Sequence, residues 1–388
     1  MRESGRDRLL RSAGRLVVLA AAAAVPPCTL SAEPGFVRDG RAGFVVSYIE
    51  YALADDFSEN GACPAGSPLN LVEIHQLTPQ GQRRPGESDE DYLERMQQAA
   101  RQLGTSADGQ DLCMHPEVAA PDPHFKTVAG SAVPVWGIDL DGQSGAEDFP
   151  GKEGGEGVDN QWYRVVGCSR SYQSAGQSNG FNIAMLTGSW GILFALEGVD
   201  DIRNDDAVTV HLYANGDPIR LSPAREPLAF ATYTAKPEPR YSATTTGKIV
   251  DGVLTSVPVD VVFQNETNSM YNERPLRAAR LQVSIDDAGT ARGYLAGYTP
   301  VEAVYDFAYA FRSGVKADGQ LAPLPLRAGS ANGAAFVLGH TCQGAYQALW
   351  ANADAYPDPE TGANTAISMQ YRIEAIPAFV VAPQGVKP

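Results

Sequence analysis

Residues 242–263 read SATTTGKIV-DG-VLTSVPVDVVF. Two runs rich in Thr, Val and Ile flank Asp251-Gly252, a pair that accepts positive φ at both central positions of a two-residue turn. The segment is therefore expected to be a hairpin, Ser242–Val250 turning into Val253–Phe263. Upstream, Ala207–Ala214 alternates, with Val208, Val210 and Leu212 on one face and Thr209, His211 and Tyr213 on the other, and then meets Asn215-Gly216. Downstream, Asp286–Gly289 joins Arg277–Ile285 to Ala291–Tyr298. Three turn signals at this spacing predict an antiparallel meander. The uninterrupted apolar run Ile192–Leu196 adds a central strand buried on both faces. The expected fold is mainly β: an antiparallel, jelly-roll-like β-sandwich over 131–300 with a few peripheral helices.

The flanking segments divide the chain further. Residues 35–130 are expected to hold a strand over 43–53, a short strand at Leu71–His75 and a helix over 88–103, then loop. Ser88 caps that helix and Gly104 ends it. Val133–Leu140 and Trp162–Val166 read as further strands. In 301–388, Thr299-Pro300-Val301-Glu302 is a capping box opening a helix over about 300–313. A Pro- and Gly-rich linker over 315–335, a short helix over 342–353 and a closing strand at Ile367–Ile376 follow. That strand sets Ile367, Met369, Tyr371 and Ile373 on one face.

Thirty basic and 46 acidic side chains give a formal charge of −16, which argues against nucleic acid and anionic membrane surfaces as partners. Residues 135–210 hold twelve acids and four bases, so half of the excess is local. The N-terminus carries Arg2, Arg6, Arg8, Arg11 and Arg15 ahead of an apolar run from Leu16 to Val25. This is the pattern of an export signal over 1–24, cleaved after Ala24 or as late as Ser31 or Ala32. Its removal takes the charge from −16 to −19, since five Arg and two acids leave. No transmembrane segment is expected in the mature chain, which would be periplasmic, outer-membrane-associated or extracellular. Cys28 raises lipidation, although Pro26 and Pro27 make a poor lipobox. Cys63, Cys113, Cys168 and Cys342 suit two disulfides in an oxidising compartment. Three connectivities are possible; the pairing preferred here is Cys63–Cys113 with Cys168–Cys342.

Three clusters of short oxygen-bearing side chains lie in Gly-rich loops beside apolar segments. They are Asp139-Leu140-Asp141-Gly142, Gly157-Val158-Asp159-Asn160, and Gly198-Val199-Asp200-Asp201 leading to Asn204-Asp205-Asp206. Calcium takes six to eight oxygens in flexible geometry, so one ion drawing on Asp139, Asp141, Asp159, Asn160, Asp200, Asp205 and Asp206 is the candidate metal site. The competing reading is that Asp, Asn and Gly simply build turns. An EF-hand is excluded: counted from Asp139, the sixth position is Ser144 and the twelfth Pro150.

Other chemistry has weaker support. Cys113-Met114-His115 and His340-Thr341-Cys342 lack zinc spacing. Gly176-Gln177-Ser178-Asn179-Gly180 matches G-x-S-x-G by letter, but a polar segment precedes it, so a Gly/Ser loop is expected. Trp136, Trp162 and Trp190 border strand-like segments and are assigned to core packing, not sugar stacking.

The ordered motifs at Asp139–Gly142, Gly157–Gln161 and Leu196–Val210 resemble a group of uncharacterised secreted proteins and lipoproteins of Gram-negative bacteria, over roughly 135–300. The resemblance implies export and a compact β domain, and brings no activity. The function expected is a non-catalytic binding or structural module, calcium-stabilised, for a glycan or protein ligand outside the cytoplasm. The alternative is a glycan-acting hydrolase using carboxylates of the acidic loops.

Overall fold

Eleven strands share one hydrogen-bonded sheet in the computed structural model, which describes residues 35–54, 62–172, 176–267, 270–310 and 338–383. The expected export signal, Cys28 and the 315–335 linker lie outside those residues. The described residues belong to one compact unit, Pro34–Pro388. In chain order the strands are β1 (Arg41–Tyr51), β2 (Ile192–Glu197), β3 (Asp205–Ala214), β4 (Ala231–Thr234), β5 (Ser242–Val250), β6 (Val253–Ser256), β7 (Val259–Thr267), β8 (Met270–Ile285), β9 (Ala291–Pro300), β10 (Ala355–Pro357) and β11 (Asn364–Val381).

The antiparallel path runs β1-β2-β3-β5-β6-β8-β9-β11, and β11 pairs back onto β1. The ladder therefore closes on itself, where the sequence predicts two sheets packed face to face. Local bends explain this. Register shifts between Val46 and Tyr48 in β1, Asp205 and Val208 in β3, and Arg277 and Arg280 in β8 mark bulges. Bulges bend a strand and increase its twist, so one long sheet curls round onto its first strand. Parallel β4–β11 pairing makes the sheet mixed.

Alternation sorts the two faces. Inside, Phe44 lies opposite Phe194 with rings 4.5 Å apart, and Tyr51 opposite Tyr371 at 5.4 Å. Ile367, Met369, Tyr371 and Ile373 are all buried, as their spacing predicts. Outside, β11 presents Ser368, Gln370, Arg372 and Glu374. Turns 198–204 and 251–252 interlock at the base, where Gly252 N donates to Arg203 O and Asp251 N to Asn204 Oδ1. Asp251 and Gly252 have φ of 51° and 79°, as the hairpin requires. The opposite end is capped by aromatic side chains of helices α3 (Gln161–Val166) and α4 (Gly176–Thr187), notably the buried Trp162 and Phe181. Trp190 is buried beside them.

Helix α2 (Asp89–Leu103) forms where expected, with Ser88 accepting from Asp91 N. Several short elements differ. Leu71–Gln76 is a helix, α1, not a strand: Asn70 and Glu73 form a reciprocal capping box. Residues 161–166 are likewise helical, because Asn160 caps Tyr163 N. Val133–Leu140 makes only an isolated bridge, Val135 to Gly151. Asn215-Gly216 is no hairpin; Asn215 bridges Ala235, and its side chain bonds the backbone of Asp217. The expected loop at Gly176–Gly180 opens α4 instead. The capping box at Thr299 is not made, since Thr299 stays in β9 facing Met369. Helix α5 (Val301–Tyr305) starts after Pro300 without a side-chain cap and continues as a π turn to Ala310.

The disulfides are Cys63–Cys168 and Cys113–Cys342, correcting the preferred pairing. The part of segment 105–130 around Ala119 and Asp122 lies against helix α6 (Cys342–Ala351), and it is His124 and Ala129 that reach the Cys63 loop. Gln347 accepts from Asp122 N and donates to Ala119 O, and this brings Cys113 to Cys342. Ala62, meanwhile, accepts from Ala129 N, beside Cys168. The bridges span 105 and 229 residues, so each removes about 5 kcal/mol of chain entropy from the unfolded state. Their spans overlap, so the two contributions are not additive.

Candidate functional site

The outer face of β11 and β9 carries two adjoining features: an aspartate cluster and a cleft. Register sets Gln370 beside Ala296 and Ser368 beside Tyr298. Loop 136–160 lies over these four residues. Gln370 holds it with both ends of one amide: Oε1 accepts from Ile138 N at 2.7 Å, and Nε2 donates to Ile138 O and Asp159 O. Gly137 must be glycine, because a Cβ there would stand 2.6 Å from Gln370 Oε1. Ile138 and Leu140 then pack on Ala52, Tyr294 and Ala296 as a small apolar cluster. Asn160 donates to Ala52 O, and Gln161 N to Ser368 Oγ.

This clamp brings Asp139, Asp141 and Asp159 together, with one carboxylate oxygen from each within 4.8 Å of the others. Each also serves a turn. Asp139 accepts from Gly142 N, Asp141 from Gln143 N, and the buried Asp159 from Leu140 N. Burial pushes the Asp159 carboxyl up to about 7, and repulsion from Asp141, Asp148 and Asp354 adds to this; the Leu140 N–H opposes it. Asp354 is pushed up to about 6, again mainly by burial, while its bonds to Ser368 oppose the rise. Chemically, three carboxylates offering one oxygen each suit a hard cation that completes its shell with carbonyls and water.

The other predicted ligands do not join them. Asn160 spends its Oδ1 on the α3 cap and its Nδ2 on Ala52 O. Asp200, Asp205 and Asp206 sit at the Arg41 end of β1, where Val199 N bonds Gly40 O and Arg41 pairs with Glu197. The aspartate cluster adjoins the Tyr51 end, roughly 30 Å away along an eleven-residue strand. At the base, Asp205 accepts from Asp200 N and Ala207 N, and Asp201 from Arg203 N. Asp201 and Asp205 thus serve the turn itself.

Below the clamp the same outer face opens into a cleft of about 560 Å³. Two cross-strand rows floor it. One reads Glu50, Arg372, Tyr294, Gln282 across β1, β11, β9 and β8; the next reads Tyr48, Glu374, Arg292, Ser284. Arg372 pairs with Glu50 at 2.9 Å and Arg292 with Glu374 at 2.8 Å. Loop 136–160 roofs one side: Trp136 lies over the Arg372 guanidinium at 4.0 Å, and Glu153 accepts from Tyr294 OH at 2.8 Å. Burial pushes the Tyr48 phenol up to about 12, helped by its bond to Glu50.

None of these floor residues figures in the predicted site. Period-2 alternation places Arg372 and Glu374 opposite the buried face of β11, but nothing in the sequence says that β1 and β9 flank them. No protein-family model, curated protein or solved structure matches the chain.

Proposed function

We propose that the chain is an exported, non-catalytic binding protein whose ligand surface is the cleft on the outer face of β1, β11, β9 and β8. In this reading calcium at Asp139, Asp141 and Asp159 fastens the roofing loop above it. The observation that carries the reading is the cleft itself: paired charges on a rigid ladder, under a loop clamped by Gln370. Such a surface is organised before a ligand arrives, which limits the entropy lost on binding. Export is supported by two disulfides and by the Arg-rich, apolar N-terminal sequence. The ligand is extracellular or periplasmic, and the protein periplasmic, outer-membrane-associated or outside the cell. Among the described residues no helix is long and apolar enough to cross a membrane.

The hydrolase alternative has one observation in its favour, the raised Asp159 carboxyl beside Asp141. An acid held protonated near pH 7 beside a second carboxylate is the pairing glycoside hydrolysis uses. Against it, Asp159 is buried under the loop and bonded to Leu140 N. In the cleft, Glu50 and Glu374 are held by arginines and Glu153 by Tyr294. Melting curves with EDTA and with calcium at constant ionic strength test the metal. Release of label from a neutral polysaccharide, retained in wild type and lost in Asp159→Asn, would replace binding by hydrolysis.

A further inference from the structure

We infer that the cleft takes a neutral oligosaccharide, lying across β1, β11, β9, β8 and β6 with a sugar ring on the face of Tyr48. This rests on the binding reading above and names its ligand.

Charge is the first argument. The cleft is lined by four carboxylates, Glu50, Glu153, Asp286 and Glu374, against two guanidiniums, Arg292 and Arg372. An anionic ligand meets a net negative surface on a chain already at −16. A cationic ligand needs a carboxylate to pair with, and each one is engaged. Glu50 holds Arg372, Glu374 holds Arg292, and Glu153 holds Tyr294 OH. Asp286 accepts from Ala288 N and Thr290 N and lies 3.5 Å from Arg292. Displacing Arg372 or Arg292 leaves a charge unpaired, and displacing Tyr294 OH or the turn N–H groups leaves a polar group without its partner, whereas a neutral ligand leaves them all in place.

Hydrogen-bonding chemistry is the second. A sugar hydroxyl both donates and accepts. Each ion pair shows a guanidinium donor beside a carboxylate acceptor, and the rows repeat this on neighbouring strands about 4.8 Å apart. Gln282 and Ser284 line the cleft and make no side-chain hydrogen bond among the described residues, so their groups are open to further hydroxyls. Ion pairs on an open sheet face contribute little by themselves. Here they form the floor of a roofed cleft.

The third argument is shape and apolar surface. Five strands span about 19 Å across their four gaps, the length of a short oligosaccharide. Val253 of β6 closes the far end of the row Tyr48–Ser284. Tyr48 is 41% exposed, and its hydroxyl is fixed on Glu50. Its ring is thus held as a platform for the C–H face of a pyranose, while the Trp136 face is taken up by Arg372.

The test is an array of neutral glucan, mannan, galactan and xylan oligosaccharides, with uronic-acid oligosaccharides, free-amine chitosan oligosaccharides and basic peptides alongside. It is probed with the mature full chain in calcium. Neutral sugars are expected to bind. Tyr48→Ala and Gln282→Ala should each weaken them about tenfold, and Tyr48→Phe, which keeps the ring, should retain most of the binding. Each variant should melt like wild type. Binding confined to acidic sugars, amino sugars or peptides, and lost in the same variants, overturns the neutral saccharide and leaves the cleft as the site. No bound probe at all also overturns the saccharide. Neutral-sugar binding that persists in both alanine variants overturns the saccharide's placement and the cleft together.

Discussion

Gly157-Val158-Asp159-Asn160 and Gly198-Val199-Asp200-Asp201 are nearly the same tetrapeptide, and the fold uses them in opposite ways. In both, glycine adopts left-handed φ, 81° and 76°, and valine is buried. After that they diverge. Asp159 is turned under a loop onto the sheet face, beside two other aspartates. Asp200 is exposed in a turn, its backbone N–H held by Asp205. The difference comes from what lies beneath. Gln370 draws the first loop onto β11, whereas the second spans only the gap between β2 and β3. An acidic, Gly-rich motif therefore identifies a turn, and its neighbours decide whether that turn concentrates charge.

The largest effect expected from this contrast is on pH dependence. The Asp159 carboxyl titrates near 7 in the folded protein, above the ordinary carboxylate value of about 4 in the unfolded chain. A raised folded value means the native state holds the extra proton. The contribution is thus fully present below about pH 4 and is lost as pH rises through about 7. In EDTA, the stability of wild type minus that of Asp159→Asn should fall across this window. Calcium should flatten the slope at its upper end, because the cation there takes the place of the proton. A flat difference in EDTA would mean that Asp159 is solvated like a surface acid.

Next in size is the clamp. Gln370→Leu leaves Ile138 N–H, Ile138 C=O and Asp159 C=O without their partner and should cost roughly 3–4 kcal/mol in urea unfolding. Asp205→Ala, which removes two exposed turn bonds at the base, should cost about 1 kcal/mol. Equal losses would remove the distinction between the two loops.

The glycines sharpen it further. A Cβ on Gly157 would stand 2.5 Å from Gln143 O, whereas one on Gly198 meets nothing within 4 Å. Gly157→Ala should therefore cost about 2–3 kcal/mol, and Gly198→Ala, strained by φ alone, about 1 kcal/mol.

Calcium is the smallest effect. At extracellular-type affinity, about 1 mM calcium adds about 0.4–1.4 kcal/mol, a rise of about 1–5 °C in melting temperature. Asp159→Ala should abolish the rise and Asp205→Ala should not. Identical curves in calcium and EDTA would return the loops of Asp139, Asp141 and Asp159 to turn formation.

What the sequence determined by itself was local. The Asp251-Gly252 and Asp286–Gly289 turns, the buried run of β2, the cap on α2 and the alternation of β11 all depend on residues within a few positions of one another. Backbone sterics and burial periodicity act at that range. Asn70-x-x-Glu73 was equally local, and its capping box outweighed the β-branched look of the run after it. Trp162–Val166 shows the limit, since short apolar runs suit strand and helix alike until a cap decides. Tertiary structure alone decided closure of the sheet, the disulfide partners and the site. Val133–Leu140 looks like a strand, but its backbone at Ile138 is met by the Gln370 side chain more than 200 residues away. Glu50 meets Arg372, and Asp139 meets Asp159 but not Asp205, only because bulged strands curl β11 between β1 and β9. Pairing across such separations depends on how the whole sheet bends, and no window of sequence holds that information.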